Sequence, residues 1–87
     1  MPLTRSKNQD MKLTISKIDQ ILFSGEAESV TVPGAGGEMT VLAHHMPLIT
    51  TLKGEKIVVR HKEGKQEEFS LESGFLEVGK EETVILV

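Results

Sequence analysis

Val58-Val59-Arg60-His61-Lys62-Glu63-Gly64-Lys65-Gln66-Glu67-Glu68-Phe69 reads as two strands folded back on each other, with the turn near Glu63-Gly64, where glycine accepts a positive φ at little cost. Its many charges suit a solvated outer face. Outward from this hairpin, apolar residues recur at every second position: Leu13 and Ile15, Val30 and Val32, Ile57 and Val59, Phe69 and Leu71, Val84 and Leu86. A period of two puts such residues on one face of a pleated strand. Turn signals separate the runs at Ser24-Gly25, Pro33 to Gly37, Lys53-Gly54, Ser73-Gly74 and Val78-Gly79, and no helical pattern of adequate length lies between them. Many short strands at this spacing predict an all-β sandwich or barrel. The expected core draws on those pairs together with Leu22, Phe23, Val41, Leu48, Phe75 and Leu76.

The 87 residues suffice for one domain. A chain this short buries roughly 60% of its unfolded surface, so most large apolar side chains must share one core. Residues 1 to 10 are mostly polar, contain Pro2 and show neither period; they are expected to form a flexible extension, with residues 11 to 87 as the domain. The net charge is -3, with both signs interspersed, which gives no basic stripe for nucleic acid. There is no cysteine, hence no disulfide, thiolate metal site or cysteine nucleophile. No run approaches the ~20 apolar residues that cross a bilayer, so no direct membrane insertion is expected. Ile85-Leu86-Val87 closes the sequence on an apolar strand, and the domain is expected to end there without a following helix.

The motifs that could carry chemistry have plainer readings. Gly34-Ala35-Gly36-Gly37 lacks the Lys-Ser/Thr of a phosphate loop, and Met39 stands where a dinucleotide fingerprint needs its third glycine. His44 and His45 are adjacent, and His61 lies in another hairpin; neighbours on a strand point to opposite faces, which opposes a metal site. No G-x-S-x-G or H-E-x-x-H pattern is present. No catalytic residue, cofactor or metal is therefore expected. The stretch Met39 to Ile49 carries several large apolar side chains beside turn residues, the composition of an interface. The alternatives are a stand-alone β-sandwich that binds a ligand, for which three Phe and no Trp or Tyr provide few aromatic platforms, and a metal enzyme built on the three histidines.

The order of segments resembles the N-terminal domain of the F-type ATP synthase epsilon subunit, called delta in mitochondria. The matching pieces run Met11 to Ile15, Leu22-Phe23-Ser24-Gly25-Glu26, Val30 to Gly34, Gly37-Glu38, His45-Met46-Pro47-Leu48 and Ser73 to Val78. Each piece alone is weak; their ordered succession is specific. The resemblance implies a flattened ten-stranded antiparallel β-sandwich and a non-catalytic rotor subunit of the central stalk of a proton- or sodium-translocating ATP synthase. It also implies that the subunit is held by gamma, touches the polar loops of the c-ring, and lies peripherally at the cytoplasmic face of the cell membrane. The family's Gly-Glu loop and the histidine of its Gly-His-Ala-Pro-Leu segment match Glu38 and His45, and Met39, Leu42 and Met46 join them as expected partner-binding residues for gamma or the ring. The sequence departs from the family at Thr40, Ala43, His44 and Met46, which removes glycine and proline from a tight turn. Glu72 adds a charge beside another turn and is expected to face solvent. In isolation the domain is expected to be a monomer or to associate weakly with itself. The helical hairpin that follows this domain in many family members is not expected here.

Overall fold

The computed structural model describes residues 10–44, 46–61 and 64–87, and among them the only regular elements longer than a single turn are nine strands. These are β1 (Met11–Lys17), β2 (Gln20–Ala27), β3 (Ser29–Gly34), β4 (Gly37–Leu42), β5 (Leu48–Lys53), β6 (Lys56–Arg60), β7 (Gln66–Ser70), β8 (Ser73–Val78) and β9 (Glu82–Leu86). The sheet runs in the order β2-β1-β9-β8-β5-β3-β6-β7, with β4 on the free side of β3. Two layers result, β2-β1-β9-β8-β5 and β4-β3-β6-β7, joined where Gly34 pairs with Leu52.

The expected all-β sandwich is present, with two differences. Nine strands stand where ten were expected, and β1 and β9 run parallel in an otherwise antiparallel arrangement. The parallel pair arises because the last strand inserts between β1 and β8 and must run antiparallel to β8.

One long hairpin carries the fold across both layers. β5 pairs with β8 and β6 with β7, and the kink between them is stitched by Gly54 N–H to the Glu72 carbonyl at 3.4 Å and Leu71 N–H to the Glu55 carbonyl at 3.1 Å. Each strand can bend here without leaving its backbone groups unpaired. The kink needs glycine at Gly54, where a Cβ would stand 2.6 Å from the Pro33 Cβ. The hairpin turn carries Gly64 at φ 82°, as the sequence predicts; Lys62 and Glu63 lie outside the described residues.

The core is filled from both layers by Leu13, Ile15, Val30, Val41, Leu52, Ile57, Leu76 and Ile85, all buried. At the seam between edge strands β2 and β7, Phe23 meets Phe69 edge-on with centroids 6.0 Å apart. Phe23 also faces the His61 ring at 5.6 Å, and His61 Nε2 lies 2.8 Å from Glu67 Oε2.

The phase of two strands differs from expectation. In β8 the inward residues are Leu76 and Val78, and in β9 they are Thr83 and Ile85. Phe75 and Leu86, expected in the core, are 56% and 49% exposed, and Val84 is half-buried on the same outer side. Period two allows Phe75 or Leu76 to face inward but not both.

Candidate functional site

The alternation along β8 and β9 fixes the character of the surface above them. Phe75 pairs with Leu86 and with Thr51, and Leu86 pairs with Ser16, which pairs with Ile21. A row of the outer face therefore reads Thr51, Phe75, Leu86, Ser16, Ile21. The next row reads Ile49, Glu77, Val84, Thr14, Ser24. Ile49 is 73% exposed, and Glu77 is the single charge in these two rows. Four large apolar side chains on one face of so small a domain form a patch of the kind that marks an interaction surface.

The outer face of the other layer is different. Thr31 and Thr40 share a hydrogen bond of 2.9 Å between their Oγ1 atoms, and Lys56 Nζ pairs with Glu68 Oε2 at 3.4 Å. Both contacts are exposed and contribute little to stability. Polar and charged side chains thus predominate on this face, with Leu42 exposed at the end of β4, while the opposite one carries the apolar patch.

The five residues singled out from sequence are divided by β4. Glu38 stands at its start on the outer side and Leu42 at its end, four steps away, which is about 13 Å at about 3.3 Å per residue. Leu42 is exposed, and Met46, beyond the strand, is 76% exposed. Met39 points the other way, packs against the core and lies over Gly34, so it does not join an exposed patch. His45 lies outside the described residues. Glu38 and Met46 therefore serve opposite ends of the strand, and the structure does not bring them together.

His44 occupies the position where the resembling family has glycine, and its φ is 68°. The loop thus takes, with a side chain in place, a left-handed backbone of the kind glycine adopts freely. Histidine is among the residues that tolerate that region, at some conformational cost.

Beside Glu38 a cleft of about 200 Å³ is lined by Pro33, Gly34, Gly37, Glu38, Lys53 and Lys56, among others. A second cavity, of about 190 Å³, lies beneath the β8–β9 turn with Asp10, Lys12, His44, Lys80 and Glu82 on its walls. Among the described residues no group of three His, Cys, Asp or Glu side chains gathers to hold a metal ion. The Gly34 to Gly37 stretch is a tight hairpin turn in which Gly34 pairs with Gly37 and Gly37 takes φ 129°.

Sequence reasoning included Ile49 at the end of its interface stretch but placed Phe75 and Leu86 in the core and did not single out Ile21. A signal was available in the adjacent apolar pairs Leu48-Ile49 and Phe75-Leu76: in a strand one member of each pair must face outward.

Comparison with known proteins places this geometry. The chain is 39% identical over 67 residues to an ATP synthase epsilon chain of Mesorhizobium japonicum, covering 77% of this chain and 50% of that one. It is 46% identical over 66 residues to one of Caulobacter vibrioides, covering 75% and 74%. It thus spans about half the length of the Mesorhizobium relative. Its backbone superposes with TM-score 0.84, at 23% identity, on a chain of the Euglena gracilis mitochondrial ATP synthase, solved with its OSCP, F1 and c-ring, covering 91% of this chain and 51% of that one. The model of the ATP synthase delta/epsilon chain beta-sandwich domain matches residues 10–87, and the chain belongs to that family.

Proposed function

We propose that the chain acts as a non-catalytic rotor subunit of the central stalk in a proton- or sodium-translocating ATP synthase, peripheral at the cytoplasmic face of the membrane. In this role its apolar sheet face docks on the gamma subunit, while the Glu38 end meets the polar loops of the c-ring. The carrying observation is the contrast between the two sheet faces. Ile49, Phe75 and Leu86 present apolar surface that water solvates poorly, and covering it with a partner removes that penalty at roughly 25 cal/mol per Å². A coupling subunit needs such a permanent attachment on one side and a polar, adjustable contact on the other.

No helix among the described residues is long and apolar enough to cross a membrane, which accords with attachment through other subunits. A carboxylate at Glu38 is suited to basic residues on the ring, where a charge-assisted hydrogen bond gives orientation as well as energy.

The test is a titration of the purified chain against the gamma subunit from the same source, with Phe75→Asp and Ile49→Asp alongside. Tight one-to-one binding by the wild type and loss of at least tenfold in each variant is the expected result. No binding by a folded wild-type chain would remove the rotor assignment.

A further inference from the structure

We propose that the cleft between the β3–β4 turn and the β5–β6 kink is a two-charge reader, in which Glu38 and Lys53 together select a partner turn carrying one cationic and one anionic side chain. The inference rests on the placement of Glu38 against the c-ring and adds Lys53 as a specificity-determining residue.

The geometry begins with Pro33. Across β4 it pairs with Glu38. On its other side, Gly34 pairs antiparallel with Leu52, and the Gly54 backbone presses against the Pro33 ring, which puts Lys53 beside the proline. Glu38 and Lys53 thus flank Pro33 on neighbouring strands. Two strand spacings of about 4.8 Å separate their backbones by about 10 Å, and both side chains line the same cleft.

At that separation a direct ion pair would require both side chains to reach over the proline ring, and none forms. Among the described residues neither Glu38 nor Lys53 has a side-chain ion-pair or hydrogen-bond partner. Lys56, the other cation of the cleft, is already engaged with Glu68. Pro33, Gly34 and Gly37 line the cleft with the two charges, and because the two glycines carry no side chain the backbone of a visiting turn can approach closely there.

Two opposite charges held apart discriminate more sharply than one. A turn with a base alone gains at Glu38 and is repelled at Lys53. A turn with both signs at matching separation gains at each, and a turn with the order reversed loses at each. Such arrangements set orientation and partner choice more than raw affinity. For a subunit that must keep one register on a ring of repeated loops, orientation is the useful property.

The experiment uses the complex of this chain with gamma, titrated onto purified c-ring from the same source at low and high salt. Glu38→Gln, Lys53→Gln, Lys53→Glu and Lys56→Gln are compared, with binding to gamma and thermal midpoint as controls for assembly and folding. The expected result is a loss of about three- to tenfold for Glu38→Gln and for Lys53→Gln at low salt, shrinking at high salt. Lys53→Glu should lose more, and Lys56→Gln little. If Glu38→Gln weakens binding while both Lys53 variants bind as the wild type does, the two-charge reader is overturned and the ring-facing placement of Glu38 stands. If the wild-type complex does not bind the ring, or if no variant changes its binding, both fall.

Discussion

At Gly74 the backbone of β8 runs so close to β9 that a Cβ would overlap the carbonyl oxygen of Leu86. Backbone cannot yield as a flexible side chain can, so Gly74→Ala should destabilise the isolated chain by more than about 2 kcal/mol, read from the urea midpoint. Gly36→Ala is the control: nothing lies within 4 Å of a Cβ there, and its effect should stay within about 0.5 kcal/mol. His44 has the opposite problem, a side chain on a left-handed backbone. Glycine adopts that φ without strain, so His44→Gly should relieve up to about 1 kcal/mol of backbone strain in the same assay, set against the loss of the contact that the side chain makes. A clear loss would show that the side chain holds the loop. The departure at His44 is plain in the sequence, but whether the loop keeps the glycine conformation is not, because that depends on where β4 and β5 deliver the two chain ends.

Among the elements, β8 and β9 show where a sequence pattern loses its phase. Val84-Ile85-Leu86 is uniformly apolar, so either alternation satisfies a period of two. The ladder decides: β9 sits between β1 and β8, and its register against Leu76 and Val78 turns Ile85 inward and Leu86 out. β1, β3 and β6 were legible because polar residues mark their outer positions clearly: Lys12, Thr14 and Ser16 in β1, Thr31 in β3, Lys56 and Arg60 in β6. The adjacent apolar pairs show that one member of each must face outward, but which member does so was illegible, since an apolar outer position is locally indistinguishable from an inner one. The contrast can be measured on neighbouring residues of one strand. Ile85→Ala removes a fully buried side chain and should cost about 2 to 5 kcal/mol. Leu86→Ala, half exposed, should cost under about 1 kcal/mol. Equal costs in chemical denaturation would mean that the assigned phase of β9 is wrong.

For the whole molecule, the proposed attachment to gamma has two candidate surfaces, because the resemblance points to the loop beyond β4 and the structure adds the sheet face of Phe75 and Leu86. The two surfaces differ in how much apolar area a partner can cover. Met46 lies on a loop at the far end of β4 from Glu38, whereas Phe75 and Leu86 pair directly and Ile49 and Val84 flank Glu77 in the adjoining row, across three strands. Contiguity matters, since a residue at the centre of an apolar patch is fully desolvated on docking and one at the rim is not. Phe75→Asp should therefore weaken gamma binding by about 100-fold and Met46→Asp by less than about tenfold, while both keep the thermal midpoint of the wild type within a few degrees, because both residues are exposed. The reverse ranking would move the gamma contact to the loop, leaving the sheet face to be covered by another partner. Equal and large losses would instead extend one interface from the β8–β9 face around to the end of β4, and Leu42→Asp would then be expected to behave as Met46→Asp does.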